Sequence, residues 1–494
     1  MNRLLEQLTA GHDPHKTFIR LPDGDDVSYG VMHETTERFA ARLAEAGVEP
    51  GDRLLVQTQK CWQSIPLFLA TLHAGAVYVP LNPTYTEAEL RYFVEDAAPR
   101  LAVCDPDLAY HMPPNVLVET LAADGGGTLS ERAARAARTS PPVAREGGDL
   151  AAILYTSGTT GRPKGAMLTH DNLASNASAL IQAWRITEHD ILIHALPMFH
   201  THGLFVAVST VLTAGASMIF LPRFKTDEVL SWLPDATILM GVPTFYTRLL
   251  ADPTLDRECA KSIRVFISGS APLLAETHAS FSDRTGHAIL ERYGMTETNM
   301  NTSNPYEGER RGGTVGFPLP GVELRITDED GRELEPGNVG MIELRGPNVC
   351  IGYWRKPEET AAAFREDGYF ITGDLGMVDV SEYVHIVGRA KDLIISGGLN
   401  VYPIEIEREL DQLAGVAESA VVGLSHPDFG EGVTAVVVPA AGPPEEQVLM
   451  EQLRNLLAPY KLPKRIVFLD ELPRNAMGKV EKAALRARFD GLYD

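Results

Sequence analysis

Cysteine is scarce in this 494-residue chain: Cys61, Cys104, Cys259 and Cys350 lie far apart, with no CxxC pair. That usage excludes a disulfide framework and a cysteine-bound zinc site, and it fits a reducing compartment. Positive charge is also short. Lys and Arg number 44 against 66 Asp and Glu, a formal net charge of −22, so nucleic acid and anionic membrane surfaces would be repelled. The first fifteen residues hold Glu6 and Asp13 and no apolar run, which is not the pattern of a secretory leader. The long uncharged stretch at 204–222 is interrupted by Ser209, Thr210, Thr213 and Ala214-Gly215-Ala216. It reads as a buried helix, a turn and a strand over 217–221 rather than as a membrane span. The expectation is a soluble, cytoplasmic protein with no nucleic-acid or membrane partner.

What is present describes a globular enzyme. A composition of 44% hydrophobic and 22% charged residues excludes a disordered chain, and the length exceeds what one core supports. Apolar strand-like runs at 53–57, 76–81, 101–104, 190–196, 237–240 and 263–268 alternate with helical patterns at 31–46 and 87–97. Such alternation builds parallel sheets covered by helices. Residues 322–327 and 340–345 flank Asp328-Glu329-Asp330-Gly331 and read as an antiparallel hairpin. Residues 112–149, rich in Ala, Gly, Pro and Arg, read as surface structure or a loosely packed insertion. Beyond Gly388-Arg389 a smaller α+β pattern begins: a helix at 404–413, strands at 419–424 and 433–439, a helix at 445–457 and a strand at 465–469. The fold class is therefore α/β, a large N-terminal domain (1–388) of parallel-rich sheets plus a β subdomain, and a small α+β C-terminal domain (389–494).

The most informative segment is Tyr155-Thr156-Ser157-Gly158-Thr159-Thr160-Gly161-Arg162-Pro163-Lys164-Gly165, which follows the apolar run 151–154. Glycines let successive backbone N–H groups converge on an anion, the hydroxyls add donors, and Lys164 adds charge. This is a phosphate cradle by chemistry, without the spacing of a Walker A loop.

The loop resembles the phosphate-binding signature of the adenylate-forming acyl-CoA synthetase superfamily. Further matches follow in that family's order: Leu196-Pro197-Met198-Phe199-His200, Ser268-Gly269-Ser270-Ala271-Pro272, Arg292-Tyr293-Gly294-Met295-Thr296-Glu297, Thr372-Gly373-Asp374, Gly388-Arg389-Ala390-Lys391-Asp392 and Pro473-Arg474-Asn475-Ala476-Met477-Gly478-Lys479. The resemblance implies ATP, Mg²⁺ and coenzyme A as partners. A carboxylate would attack the α-phosphorus of ATP, and a thiol would then displace AMP. It further implies that Thr156, Ser157, Gly158, Thr159, Thr160, Gly161 and Lys164 hold phosphate, and that Glu297 with the hydroxyls of Thr156 and Thr296 holds Mg²⁺ and phosphate. Tyr293, Gly294 and Met295 would form one side of an adenine slot and Ser270 and Ala271 the other, with Asp374 and Arg389 on the ribose. Lys479 would bridge the substrate carboxylate and the α-phosphate. The small domain would then turn about Lys391, bringing Gly397 and Gly398 to the pantetheine arm of CoA.

The acyl pocket is where chemistry and resemblance meet. Arg248 and Arg292 stand next to or within these motifs, and a buried guanidinium demands an anionic partner. From the residues alone, a second substrate carboxylate and a protein acid such as Glu291 or Glu297 both stay open. The run from Glu291 to Ser303, with Phe199-His200-Thr201-His202-Gly203-Leu204, resembles malonyl-CoA synthetases, which implies malonate as substrate. The alternative is methylmalonate or another short (di)carboxylic acid. Arg248, Arg292, His202 and Ser268 are then the acyl-pocket candidates. His200 matches the residue that gates the pocket, whereas His202 is open to a plain core role. A monomer or weak dimer is expected.

Overall fold

The computed structural model describes residues 2–22, 24–114, 116–136, 141–156, 163–396, 399–440, 442, 444–475 and 478–493. Nine strands form one sheet in the order 317–318, 299–303, 290–295, 265–268, 238–241, 191–194, 217–220, 17–20, 26–28. From Leu290–Met295 to Thr17–Arg20 the pairs run parallel. A six-stranded sheet (117–120, 101–104, 53–57, 77–80, 150–156, 164–169) is parallel except for its last pair. That pair, Leu150–Thr156 with Lys164–Thr169, is antiparallel, with Thr156 opposite Lys164. A four-stranded antiparallel sheet follows, and it contains the expected hairpin with Glu323 opposite Arg345.

Local sequence explains these elements. The helix Glu87–Ala97 starts at Thr86, whose hydroxyl and Glu89 form a reciprocal cap. The helix His170–Trp184 starts at Thr169 in the same way with Asn172. Asn172 also donates to the carbonyls of Pro347 and Val349, tying this helix to a distant loop. The uncharged stretch is a buried wide-turn segment His202–Val208, a helix Ser209–Ala214 ending at left-handed Gly215, and a strand Ser217–Phe220. Among the described residues no helix is long and apolar enough to cross a membrane.

The reading of 112–149 needs correction. Leu117–Thr120 is an edge strand of the six-stranded sheet, and its Glu119 is fully buried. Arg42, Arg132 and Thr128 all donate to that carboxylate, so the segment is locked to the helix Tyr29–Glu45 rather than loosely packed. The composition concealed this because the compensating charge, Arg42, lies far upstream.

The C-terminal part has its own core, with Ile406, Leu410, Val421, Val433, Ala435 and Leu453 packed together. Its strands Val416–His426 and Gly430–Pro439 pair antiparallel, and Arg465–Phe468 adds in parallel. Val384–Arg389 is the last strand of the four-stranded sheet, and the C-terminal sheet begins at Ile394–Ser396. Residue 389, expected to open the second domain, thus ends a strand of the larger part.

Candidate active site

The strand Leu290–Met295 and its return Asn299–Ser303 build the centre of the site. The turn between them needs Asn299 at φ +50°, and a Cβ on Gly294 would lie 2.1 Å from the Asn299 carbonyl. Glycine is therefore required there, and a bulge falls between Tyr293 and Gly294. The Tyr293 hydroxyl donates to Asp374 Oδ2, and Arg389 Nε pairs with Asp374 Oδ1 at 2.8 Å. Asp374 and Arg389 are direct cross-strand partners in the four-stranded sheet, which explains how two short motifs meet. One carboxylate oxygen on each side of a planar acid, backed by a guanidinium, suits a vicinal diol.

Glu297 projects from the same turn and is buried, and burial raises its carboxyl pKa. The Tyr353 hydroxyl donates to it at 3.0 Å, and the Tyr353 ring lies 5.2 Å from the Lys164 ammonium. Tyr353 was not singled out from sequence. Its loop is stitched to the strand after the glycine-rich loop, with Trp354 N donating to Gly165 O and Met167 N to Gly352 O. The Gly352-Tyr353-Trp354 run was the available signal. Thr156 and Lys164 are cross-strand partners at the base of the loop. Glu297 forms no ion pair among the described residues, and a hard carboxylate of this kind fits Mg²⁺. Thr296, at the same turn, is half-buried.

Arg292 is the unusual group. It is buried to 3% exposure, and neither its Nε nor its Nη2 has a hydrogen-bond partner. Burial pushes its pKa down to about 9. A Cβ on Gly269 would lie 2.4 Å from its guanidinium carbon, so any larger residue there would displace the guanidinium. His202 is fully buried and Nε2 lacks a partner, while Nδ1 lies 3.3 Å from Ser270 Oγ. Ser270 holds φ +74°, a strained setting for a non-glycine residue. Ser268 Oγ is also buried and unpartnered. Burial and then Arg292 hold His200 down to about 4 and drive His202 the same way, so both imidazoles are neutral. Neither Glu291 nor Glu297 pairs with Arg292. Glu291 instead accepts from Leu273 N at 3.0 Å, and burial raises it to about 8.

Arg248 differs from Arg292. It is exposed on the helix Pro243–Ala251 and lines a cavity of about 650 Å³ whose walls also carry Lys60, Arg223, Arg474 and Asn475. Arg292 is not part of that lining. The premise of a buried guanidinium therefore fails for Arg248: the helix turns it outward, while the strand turns Arg292 inward. Ala271 is half-buried beside Ser270, as an adenine slot would need.

Lys479 faces the crevice between the two parts. Its side chain keeps solvent contact, yet enough protein surrounds it that desolvation, with Arg389 and Lys391, lowers its pKa, while Asp374 and Asp392 oppose the shift. Lys391 lies on the short turn Ala390–Asp392 that joins the two sheets. Ser157, Gly158, Thr159, Thr160, Gly161, Gly397 and Gly398 lie outside the described residues.

Comparison with known proteins agrees with this geometry. Residues 7–354 match the AMP-binding enzyme family, and 405–479 match the AMP-binding enzyme C-terminal domain. A malonate–CoA ligase of Arabidopsis thaliana is 36% identical over 95% of this chain and 85% of its own. A feruloyl-CoA synthase of Amycolatopsis is 37% identical over 97% of each. MatB from Rhodopseudomonas palustris is 54% identical over the full length of both chains. Its ATP-bound structure superposes with a TM-score of 0.98, and its apo structure with 0.85. The chain thus has the domain arrangement of the ATP-bound form, which is why Lys479 is near Asp374. With both parts matched, the chain belongs to the AMP-binding enzyme family.

Proposed function

We propose that this enzyme ligates malonate to coenzyme A in an AMP-forming reaction, through malonyl-adenylate. The observation that carries the reading is Arg292, a buried guanidinium with two unpartnered nitrogens beside the unpartnered Nε2 of His202 and Oγ of Ser268. In the tautomer of neutral His202 whose Nδ1 accepts from Ser270, Nε2–H is a donor. Three buried donor groups without a partner among the described residues fit a carboxylate, and the substrate must carry it in addition to the carboxylate that reacts. Percentage identity alone does not choose, since malonate and feruloyl ligases match about equally. The arginine pocket and the MatB likeness favour malonate.

In the first half-reaction one malonate oxygen attacks the α-phosphorus of ATP, forming the acyl–phosphate bond as pyrophosphate leaves. Lys479 holds the attacking carboxylate and α-phosphate together and offsets charge in the transition state. Tyr293 lies against the adenine, Asp374 and Arg389 hold the ribose, and Lys164 takes the departing phosphates. Glu297 would hold Mg²⁺ with the hydroxyls of Thr156 and Thr296, and the bound ion neutralises phosphate charge. In the second half-reaction the small domain turns about Lys391, the CoA thiolate attacks the malonyl carbonyl, and AMP leaves. Gly397 and Gly398 give the pantetheine arm its close approach, and His200 gates the pocket. The guanidiniums of Arg248 and Arg223 on the cavity wall suit the CoA phosphates. We place the enzyme in the cytoplasm as a monomer or weak dimer.

CoA-dependent AMP release, compared for malonate, methylmalonate, succinate, acetate, octanoate and benzoate, tests the assignment. Malonate should dominate; a monocarboxylate preference would overturn it. Arg248→Ala should raise KM for CoA several-fold and leave KM for malonate within about twofold. A malonate KM that rises instead would return Arg248 to the acyl pocket.

A pH profile follows from Lys479. Because its pKa is lowered and the cation is the working form, adenylation should decline with rising pH earlier than a solvent lysine would dictate. Lys479→Arg should move that decline to higher pH, as read by malonate-dependent pyrophosphate release. An unmoved decline would assign it to another group.

A further inference from the structure

The segment carrying Lys479 is a tight hairpin, and its geometry is fixed from one side. Arg474 and Val480 pair across its base, Asn475 N donates to Lys479 O at 2.9 Å, and Gly478 N donates to Asn475 O at 2.9 Å. Asn475 Oδ1 accepts from Lys479 N at 3.0 Å. Gly478 has φ +75°, and a Cβ there would lie 3.3 Å from Thr244 Oγ1 of the larger domain, so the hairpin sits directly on that domain. The arms of the hairpin are rooted in the core of the small domain by Leu472 and Val480, which leaves its direction near Lys479 to a polar tie.

Arg474 supplies that tie. Its Nη1 donates to the Gly478 carbonyl at 2.6 Å, one residue before Lys479, and its Nη2 donates to Glu418 Oε2 on the strand Val416–His426. One planar guanidinium therefore spans the return arm of the hairpin and a long edge strand of the C-terminal sheet. A fork of this shape fixes direction as well as distance. The pair is about one-third exposed on each side (32% and 29%), and an ion pair so open to water contributes little to stability. Its effect is on placement: the lysine ammonium ends a flexible stem, and small displacements of its anchor are costly when an attacking group must be held in line.

We infer that Glu418 is a positioning residue for Lys479, acting through Arg474, and that it serves adenylation and not thioester formation. The inference rests on the role of Lys479 proposed above. It adds a residue about 60 positions upstream that belongs to none of the signature motifs. The structure gives a reason for the selectivity. Gly478, next to Lys479, lies against Thr244 of the larger domain in the ATP-bound arrangement, and once the small domain turns away the hairpin leaves the reacting atoms.

Four full-length proteins test it: wild type, Glu418→Gln, Lys479→Ala and the double variant. Malonate-dependent pyrophosphate release reads the first half-reaction, and thioester formation from supplied malonyl-adenylate and CoA reads the second. Glu418→Gln should lower adenylation kcat about tenfold, keep KM for malonate and ATP within about twofold, and leave thioester formation unchanged. Its melting temperature should match wild type. In the Lys479→Ala background the same substitution should cost nothing further, because a positioning residue has nothing left to position. An equal loss in both half-reactions, no loss in either, or a full repeat of the loss in the Lys479→Ala background would overturn the inference. If Lys479→Ala itself slowed both half-reactions alike, the role of Lys479 would fail first, a result distinguishable from failure of Glu418 alone.

Discussion

Arg292→Ala is expected to lower kcat/KM for malonate by roughly 100- to 1,000-fold, the usual loss when one partner of a desolvated charge pair is removed. Acetate turnover, which never uses the second carboxylate, should stay within a few-fold. The same site makes an opposite prediction for stability. Among the described residues Arg292 has no ion-pair partner, and burial drives its pKa down to about 9. A cation whose folded pKa is depressed is penalised in the folded state at every pH below that value, and the penalty fades as pH rises through about 9. Volume-matched Arg292→Met should therefore raise the melting temperature of the ligand-free enzyme near neutral pH while abolishing malonate use. Lower activity together with lower stability would point to a structural arginine instead.

Lys479→Ala should slow malonyl-adenylate formation by roughly 100- to 1,000-fold, the range seen when a preorganised charge at a reacting centre is lost. Conversion of supplied malonyl-adenylate to malonyl-CoA should stay within a few-fold of wild type. The asymmetry follows from location. Lys479 stands near Asp374, Arg389 and Lys391 in this arrangement, and it comes from the domain expected to turn between half-reactions. Equal slowing of both steps would contradict a mobile lysine that serves only the first.

Much of the architecture was legible because local chemistry agreed with it. The helix Glu87–Ala97 and the strands Arg53–Gln57 and Leu101–Cys104 match their expected bounds, and the 323–345 hairpin formed where alternation and an acidic turn met. Strand ends elsewhere moved by up to three residues, the largest shifts being the early starts of Val416–His426 and Gly430–Pro439. What was not legible depends on direction and distance in space. Arg248 and Arg292 look alike on paper, yet a helix face exposes one and an inward strand position buries the other. Asp374 and Arg389 are both expected on the ribose, but their ion pair follows from strand register, which the two short motifs do not encode. Tyr353 reaches Glu297 across 56 residues, and Glu119 finds Arg42 across 77. Neither link leaves a periodic trace in the chain.

The central claim is that the acyl pocket holds a second, ionised carboxylate. The most direct measurement compares kcat/KM of the wild-type enzyme for malonate and for monomethyl malonate, which keeps the reacting carboxylate and replaces the other with a neutral ester. The account predicts a preference for malonate of at least about 100-fold, because the ester leaves the Arg292 guanidinium buried and unpaired. Use of the two acids within a few-fold of each other would contradict it.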